Sequence, residues 1–159
     1  MQFKTPMLVV TDIDRSTAFY QAVLGLRVTM DFGANKTLTG GIALQTLETW
    51  RTFIGTHEIA FGGNDAELYF EEDDFDTFLD RLQAQEIDYV HPVIEHAWGQ
   101  RVVRFRDPDG HIIEVGENMR MVCRRFLDGG MTPEQVAARM DVPLKFVRGC
   151  MQTAHTKKR

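Results

Sequence analysis

The sequence predicts an α+β fold: two βαβββ modules forming a curved mixed sheet around a cleft, with a C-terminal helical extension. Three observations carry this. A strand–helix–strand opening occurs twice, roughly sixty residues apart. A hairpin with an Asp-Pro-Asp-Gly turn follows in the second copy. The charge then changes sign: residues 1–118 hold 9 Lys and Arg against 20 Asp and Glu, and residues 119–159 hold 9 against 3.

With 159 residues the chain has room for one well-cored domain and an appendage, drawn here as 1–118 and 119–159. Its 43% hydrophobic and 26% charged content suits a water-soluble globule. It has no long apolar run and no basic–apolar leader, so a cytoplasmic protein without a membrane partner is expected. Cys123 and Cys150 match no metal-ligand spacing and read as free thiols.

Met7 to Val10 is an apolar run that suits a strand. Asp12 or Asp14 caps the helix that follows, which turns Ala18, Phe19, Ala22 and Val23 to one face and stops at Gly25. Leu26 to Phe32 alternates as a strand, Gly40-Gly41 breaks the chain, and Ile42 to Gln45 is a short strand. Thr46 to Ile54 reads as a short helix, and Gly62 to Asp65 as a turn. The pattern then repeats. Ala66 to Glu71 is a strand, Asp73 or Asp74 caps a helix with Phe75, Phe78, Leu79 and Leu82 inward, and Ile87 to Val93 is a strand. In the closing hairpin Pro108 presets φ, Asp107 and Asp109 bond back to the local backbone, and Gly110 accepts positive φ. Glu114 stands among apolar residues on its second strand, where an unpaired carboxylate is costly to bury.

These residues resemble the vicinal oxygen chelate superfamily, which includes glyoxalase I, bleomycin-resistance proteins, fosfomycin-resistance enzymes and extradiol dioxygenases. The matching stretches are Val10 to Ser16 leading into Phe19-Tyr20 and Val23 to Leu26, then Glu67 to Phe70, Trp98 to Arg101, and Asp107 to Glu114. Together they span about residues 3–118. Carried over residue by residue, the family's metal-ligand positions become Thr5, Gln45, Glu67 and Glu114, with Glu114 seven residues after the first Asp of the turn. Glu67 stands where the family usually has histidine, and Thr5 where it has histidine or glutamine. Histidine-rich extradiol and fosfomycin-type chemistry is therefore excluded. An oxygen set of Gln45, Glu67 and Glu114 suits one hard divalent metal ion, with no cofactor as the alternative.

Two functions follow from the resemblance, and a third from the tail outside it. In the first, a lyase or isomerase acts on a small oxygenated substrate in the cleft, with Glu67 and Glu114 as the catalytic acid and base; the alternative for the two carboxylates is that they are solvated or paired with Arg101 or Arg104. In the second, a metal-free protein binds a small molecule, as bleomycin-resistance members do. The stretch with His96, Trp98, Gln100 and Arg101 tends to line the ligand pocket in either case, and a homodimer is implied. His57, His91 and His111 read as surface or loop residues.

The third function concerns the tail. Thr132-Pro133-Glu134 starts a helix, and Val136, Ala137, Met140, Val142, Val147 and Met151 have helix-turn-helix spacing with Asp141 at the turn. A ligand-sensing regulator would use such a tail on DNA. The candidate second helix offers only Lys145 and Arg148, so a helical extension packed on the acidic part or on a partner subunit is the plainer account, and a nucleic-acid partner is not expected.

Overall fold

The computed structural model describes residues 1–56 and 58–152; the expectation for His57 lies outside them. The chain runs β1 (Met7–Val10), α1 (Ile13–Leu24), β2 (Val28–Asp31), β3 (Asn35–Leu38), β4 (Ala43–Thr46) and α2 (Leu47–Ile54). It continues through β5 (Glu67–Glu72), α3 (Phe75–Gln83), β6 (Asp88–Glu95), β7 (Arg101–Arg106) and β8 (Ile112–Glu117) to α4 (Met119–Asp128), α5 (Pro133–Met140) and α6 (Leu144–Gln152). The strands form two four-stranded sheets of the same connectivity, β1-β4-β3-β2 and β5-β8-β7-β6. In the first, β1 lies parallel to β4, and β3 runs antiparallel to both β4 and β2. The expected α+β class and the repeated strand–helix order are both present.

Two compact units make up the chain. One contains Met1–Leu68, Arg81–Val90 and Phe105–Ile113; the other contains Tyr69–Asp80, His91–Arg104 and the residues from Glu114 onward. In the first unit, Asp12 caps α1 by accepting from the Asp14 and Arg15 amides, and Gly25 ends it in the left-handed region. Ser16, Tyr20 and Val23 fall at i, i+4 and i+7, so one stripe of α1 is buried. Val10, Leu38, Leu44, Phe105 and Ile113 are buried in the same unit.

In the second unit the core holds Phe75, Phe78, Val102, Val103 and Val115. The tail helices have a core of their own: Val122, Cys123, Val136, Met140, Val147 and Cys150. Thr132 and Gln135 form a reciprocal capping box at the start of α5, as the Thr-Pro-Glu signal leads one to expect.

Two elements were not read from the sequence. The polar strand β3, Asn-Lys-Thr-Leu, is set by ladders on both sides rather than by its own composition. Helix α4 is capped by Asn118, which accepts from the Arg120 amide, and it buries Val122 and Cys123 between arginines. Strand β6, which contains Pro92, lies at the edge of its sheet, where proline is commonly confined.

Candidate functional site

The Asp107 to Gly110 turn organises the first unit. Asp107 is buried; its Oδ1 accepts from the amides of Asp109 (3.0 Å) and His111 (2.9 Å), and its Oδ2 accepts from the Tyr20 hydroxyl (2.9 Å). The His111 Nδ1–H donates to the same Oδ2 at 2.8 Å. Burial works against the Asp107 charge, but the bonds from His111 and Tyr20 outweigh it and hold the carboxyl below the usual range. Burial, reinforced by the Asp107 charge, pushes the Tyr20 hydroxyl well up, so it stays a neutral donor. Asp109 ties the start of α1 to the turn by accepting from the Thr11 amide and hydroxyl, Ser16 and Arg15. Gly110 has φ 90°, and a Cβ there would lie 2.9 Å from the Gly62 Cα, so both backbone angle and space call for glycine.

Next to this turn the first unit has a cavity of about 340 Å³. Its apolar lining includes Pro6, Leu8, Phe61 and Ile112, and its polar lining includes Asp65, Glu67 and His111. Phe61 meets the His111 ring edge-on at 6.5 Å between centroids. Glu67 thus stands in the same cavity as a histidine oriented by a buried carboxylate. His111, expected to be a surface or loop residue, does lie in the loop before β8, but it is half-buried and bonded to Asp107.

Gln45, also in the first unit, is 3% exposed and fully engaged. Its Oε1 accepts from the Asn35 side chain at 2.9 Å, and its Nε2 donates to the Ala34 carbonyl (3.0 Å) and to Thr49 Oγ1 (2.5 Å). Asn35 is its direct cross-strand neighbour on β3. The Thr5 hydroxyl donates to the Gly41 carbonyl.

In the second unit Glu114 is 5% exposed and ion-paired with Arg104. Arg104 also donates to His91 Nε2 at 3.2 Å, so His91 is a half-buried strand residue and not the surface or loop residue expected. His96 and Trp98 stack at 4.3 Å. The Trp98 indole N–H donates to Gln100 Oε1, while Gln100 Nε2 donates to the Tyr69 hydroxyl and the Glu117 carbonyl. Those three expected ligand-lining residues therefore stand together. Arg101 is engaged elsewhere: it pairs with Glu117 (3.2 Å) and Asp76 (2.7 Å) and lies over the Phe75 ring. Burial raises the Glu117 carboxyl, but Arg101 and Arg125 overcome this and hold it low.

Sequence reasoning missed Tyr20, Asp107 and His111 as one network, whereas a pairing of Glu114 with Arg104 was among its open alternatives and is the one present. The i, i+4 spacing of Asp107 and His111 across the turn was a visible signal for the network. For Glu114 the sequence offers both Arg101 and Arg104 as partners, and packing selects Arg104 while Arg101 turns to Glu117.

A family model described as a glyoxalase-like domain matches residues 3–120. Among curated proteins, YraH of Bacillus subtilis (strain 168) is 28% identical over 117 residues, which cover 68% of this chain and 91% of that protein. Among solved structures, a protein of unknown function from Agrobacterium tumefaciens str. C58 is 39% identical with a TM-score of 0.68, covering 75% of this chain and 95% of its own. A glyoxalase-related enzyme from Fulvimarina pelagi is 20% identical with a TM-score of 0.63, covering 74% and 88%, a likeness of fold. The repeated sheets, the Asp-Pro-Asp-Gly hairpin and a match over residues 3–120 give one conclusion: the chain belongs to the glyoxalase-like domain family of the vicinal oxygen chelate superfamily.

Proposed function

We propose that this protein binds a small molecule without a metal ion, as bleomycin-resistance members of its superfamily do. One observation carries the reading: the Glu114 carboxylate is buried against the Arg104 guanidinium, so a cation already neutralises the residue best matched to a metal ligand. Gln45 commits both ends of its amide to Asn35, Ala34 and Thr49. A divalent ion needs oxygens whose lone pairs and charge are available to it, and this donor set does not fit. Among the described residues no three His, Cys, Asp or Glu stand together as a metal group.

The cavity beside the turn suggests the ligand's chemistry. Apolar walls with Asp65 and Glu67 suit a small, largely apolar molecule that carries a cationic or hydrogen-bond-donating group. The stacked His96–Trp98 pair, with Gln100 behind it, supports a second contact surface for a flat ligand. Glu67 and His111 in one cavity also favour a second reading, a lyase or isomerase that moves a proton on the bound molecule, with Asp107 orienting the imidazole.

Elemental analysis of protein purified without added metal or tag tests the first reading. Far less than one metal ion per chain is expected in the wild type and in Glu114→Gln, with ligand-induced thermal shifts for small hydrophobic amines unaffected by a chelator. Stoichiometric metal that is lost in Glu114→Gln would overturn it. Solvent-deuterium incorporation into a recovered ligand, abolished by His111→Gln or Glu67→Gln, would establish the proton-transfer reading; ligand recovered unlabelled would support binding alone.

A further inference from the structure

The tail is unabsorbed by this reading, since the family match ends at residue 120. We propose that α4–α6 are a duplex-DNA-binding unit in which α6 enters the major groove. A helix-turn-helix needs two helices joined by a short turn, packed on a third helix, with the second helix presenting a polar face. Each part is present. Three residues, Asp141 to Pro143, join α5 to α6. Asp141 adopts φ 52°, ψ 46°, the left-handed position that glycine commonly fills in such turns, and it is the one non-glycine residue with positive φ among the described residues. Its amide and that of Val142 close the end of α5 by donating to the Ala138 and Ala137 carbonyls. The three helices share the Val122, Cys123, Val136, Met140, Val147 and Cys150 core, which fixes α6 with a defined side outward.

The outward side has the right chemistry. Val147 and Cys150 face the core, whereas Lys145, Arg148 and Gln152 are exposed at i, i+3 and i+7 and so form one stripe. Lysine, arginine and glutamine are the side chains that read guanine and adenine edges. Helix α6 has no acidic residue, and the sequence beyond it continues with Lys157, Lys158 and Arg159. Arg120 on α4 is also exposed. Residues 1–118 hold 20 acids against 9 bases, and in the tail Arg125 and Arg139 are paired with Glu117 and Glu95, so the charge offered to a polyanion is that of α6 with Arg120.

Fluorescence anisotropy with the full chain and a labelled random-sequence duplex of about 30 base pairs, titrated from about 50 to 200 mM salt, tests the proposal. Expected are saturable binding at the low-salt end, and at least tenfold weaker binding for Lys145→Ala/Arg148→Ala with a log–log salt slope smaller by about 2. Both positions are exposed, so an unchanged thermal midpoint shows that the variant is folded. Lys145→Arg/Arg148→Lys should retain binding within a few-fold. No binding at about 50 mM salt would overturn the proposal. So would binding unaffected by the alanine pair, or tighter binding to duplex RNA, whose deep, narrow major groove does not admit a helix.

Discussion

The two sheets repeat one connectivity, yet they use the same slot differently. Gln45 is the third residue of β4 and Glu114 the third of β8, the second strand in the order of each sheet. On β4 the slot holds a neutral amide bonded to Asn35 on the adjacent strand. On β8 it holds a carboxylate neutralised by Arg104 from the adjacent strand. Either way, each module meets the polar demand of its own slot. The comparison teaches that a duplicated backbone can keep a buried polar position while its chemistry diverges from amide to ion pair.

Breaking the ionic slot should have the largest effect. Glu114→Ala takes the buried carboxylate away from the Arg104 guanidinium and is expected to lower unfolding free energy by roughly 3–5 kcal/mol in urea titrations. The double change Glu114→Leu/Arg104→Leu should cost clearly less than the sum of its single changes. Asp107→Ala, which strands Tyr20 and His111, should cost roughly 2–3 kcal/mol. Gln45→Ala removes only neutral partners and should cost about 1–2 kcal/mol; an equal cost for Gln45→Ala and Glu114→Ala would erase the contrast between the slots. The mildest probe is acid. Asp107 and Glu117 both have carboxyls held low in the fold. Their contribution is therefore complete above an unfolded-state carboxylate pKa of about 4 and is lost progressively below it. Thermal midpoints should drop across that window, and less so in Asp107→Asn.

Much of the architecture was legible in the sequence because local signals agreed with it. Asp12 and Gly25 bracket α1 as read, and Phe75, Phe78 and Leu82 are the buried stripe of α3 as read. Thr132, Pro133 and Gln135 open α5. What stayed hidden depends on neighbours distant in sequence. Asn35 to Leu38 has no strand signature of its own, because pairing on both sides makes it one. The site was less legible for the same reason. Residue type suggested Glu114 as a ligand position, but only its packing against Arg104 shows where the charge goes. His111 looked like the end of a turn until Asp107, four residues earlier, was found bonded to its ring.

Cys123 and Cys150 are the chain's two cysteines, and both lie in the core of the three tail helices. Burial, with the neighbouring Cys150 adding to it, pushes the Cys123 thiol up to about 12, so it reacts slowly while those helices remain closed. Every sulfhydryl the protein owns is thus a built-in clock for one region. The rate at which a maleimide consumes them under native conditions times the opening of the last forty or so residues alone, with no label to install and no background from the rest of the chain.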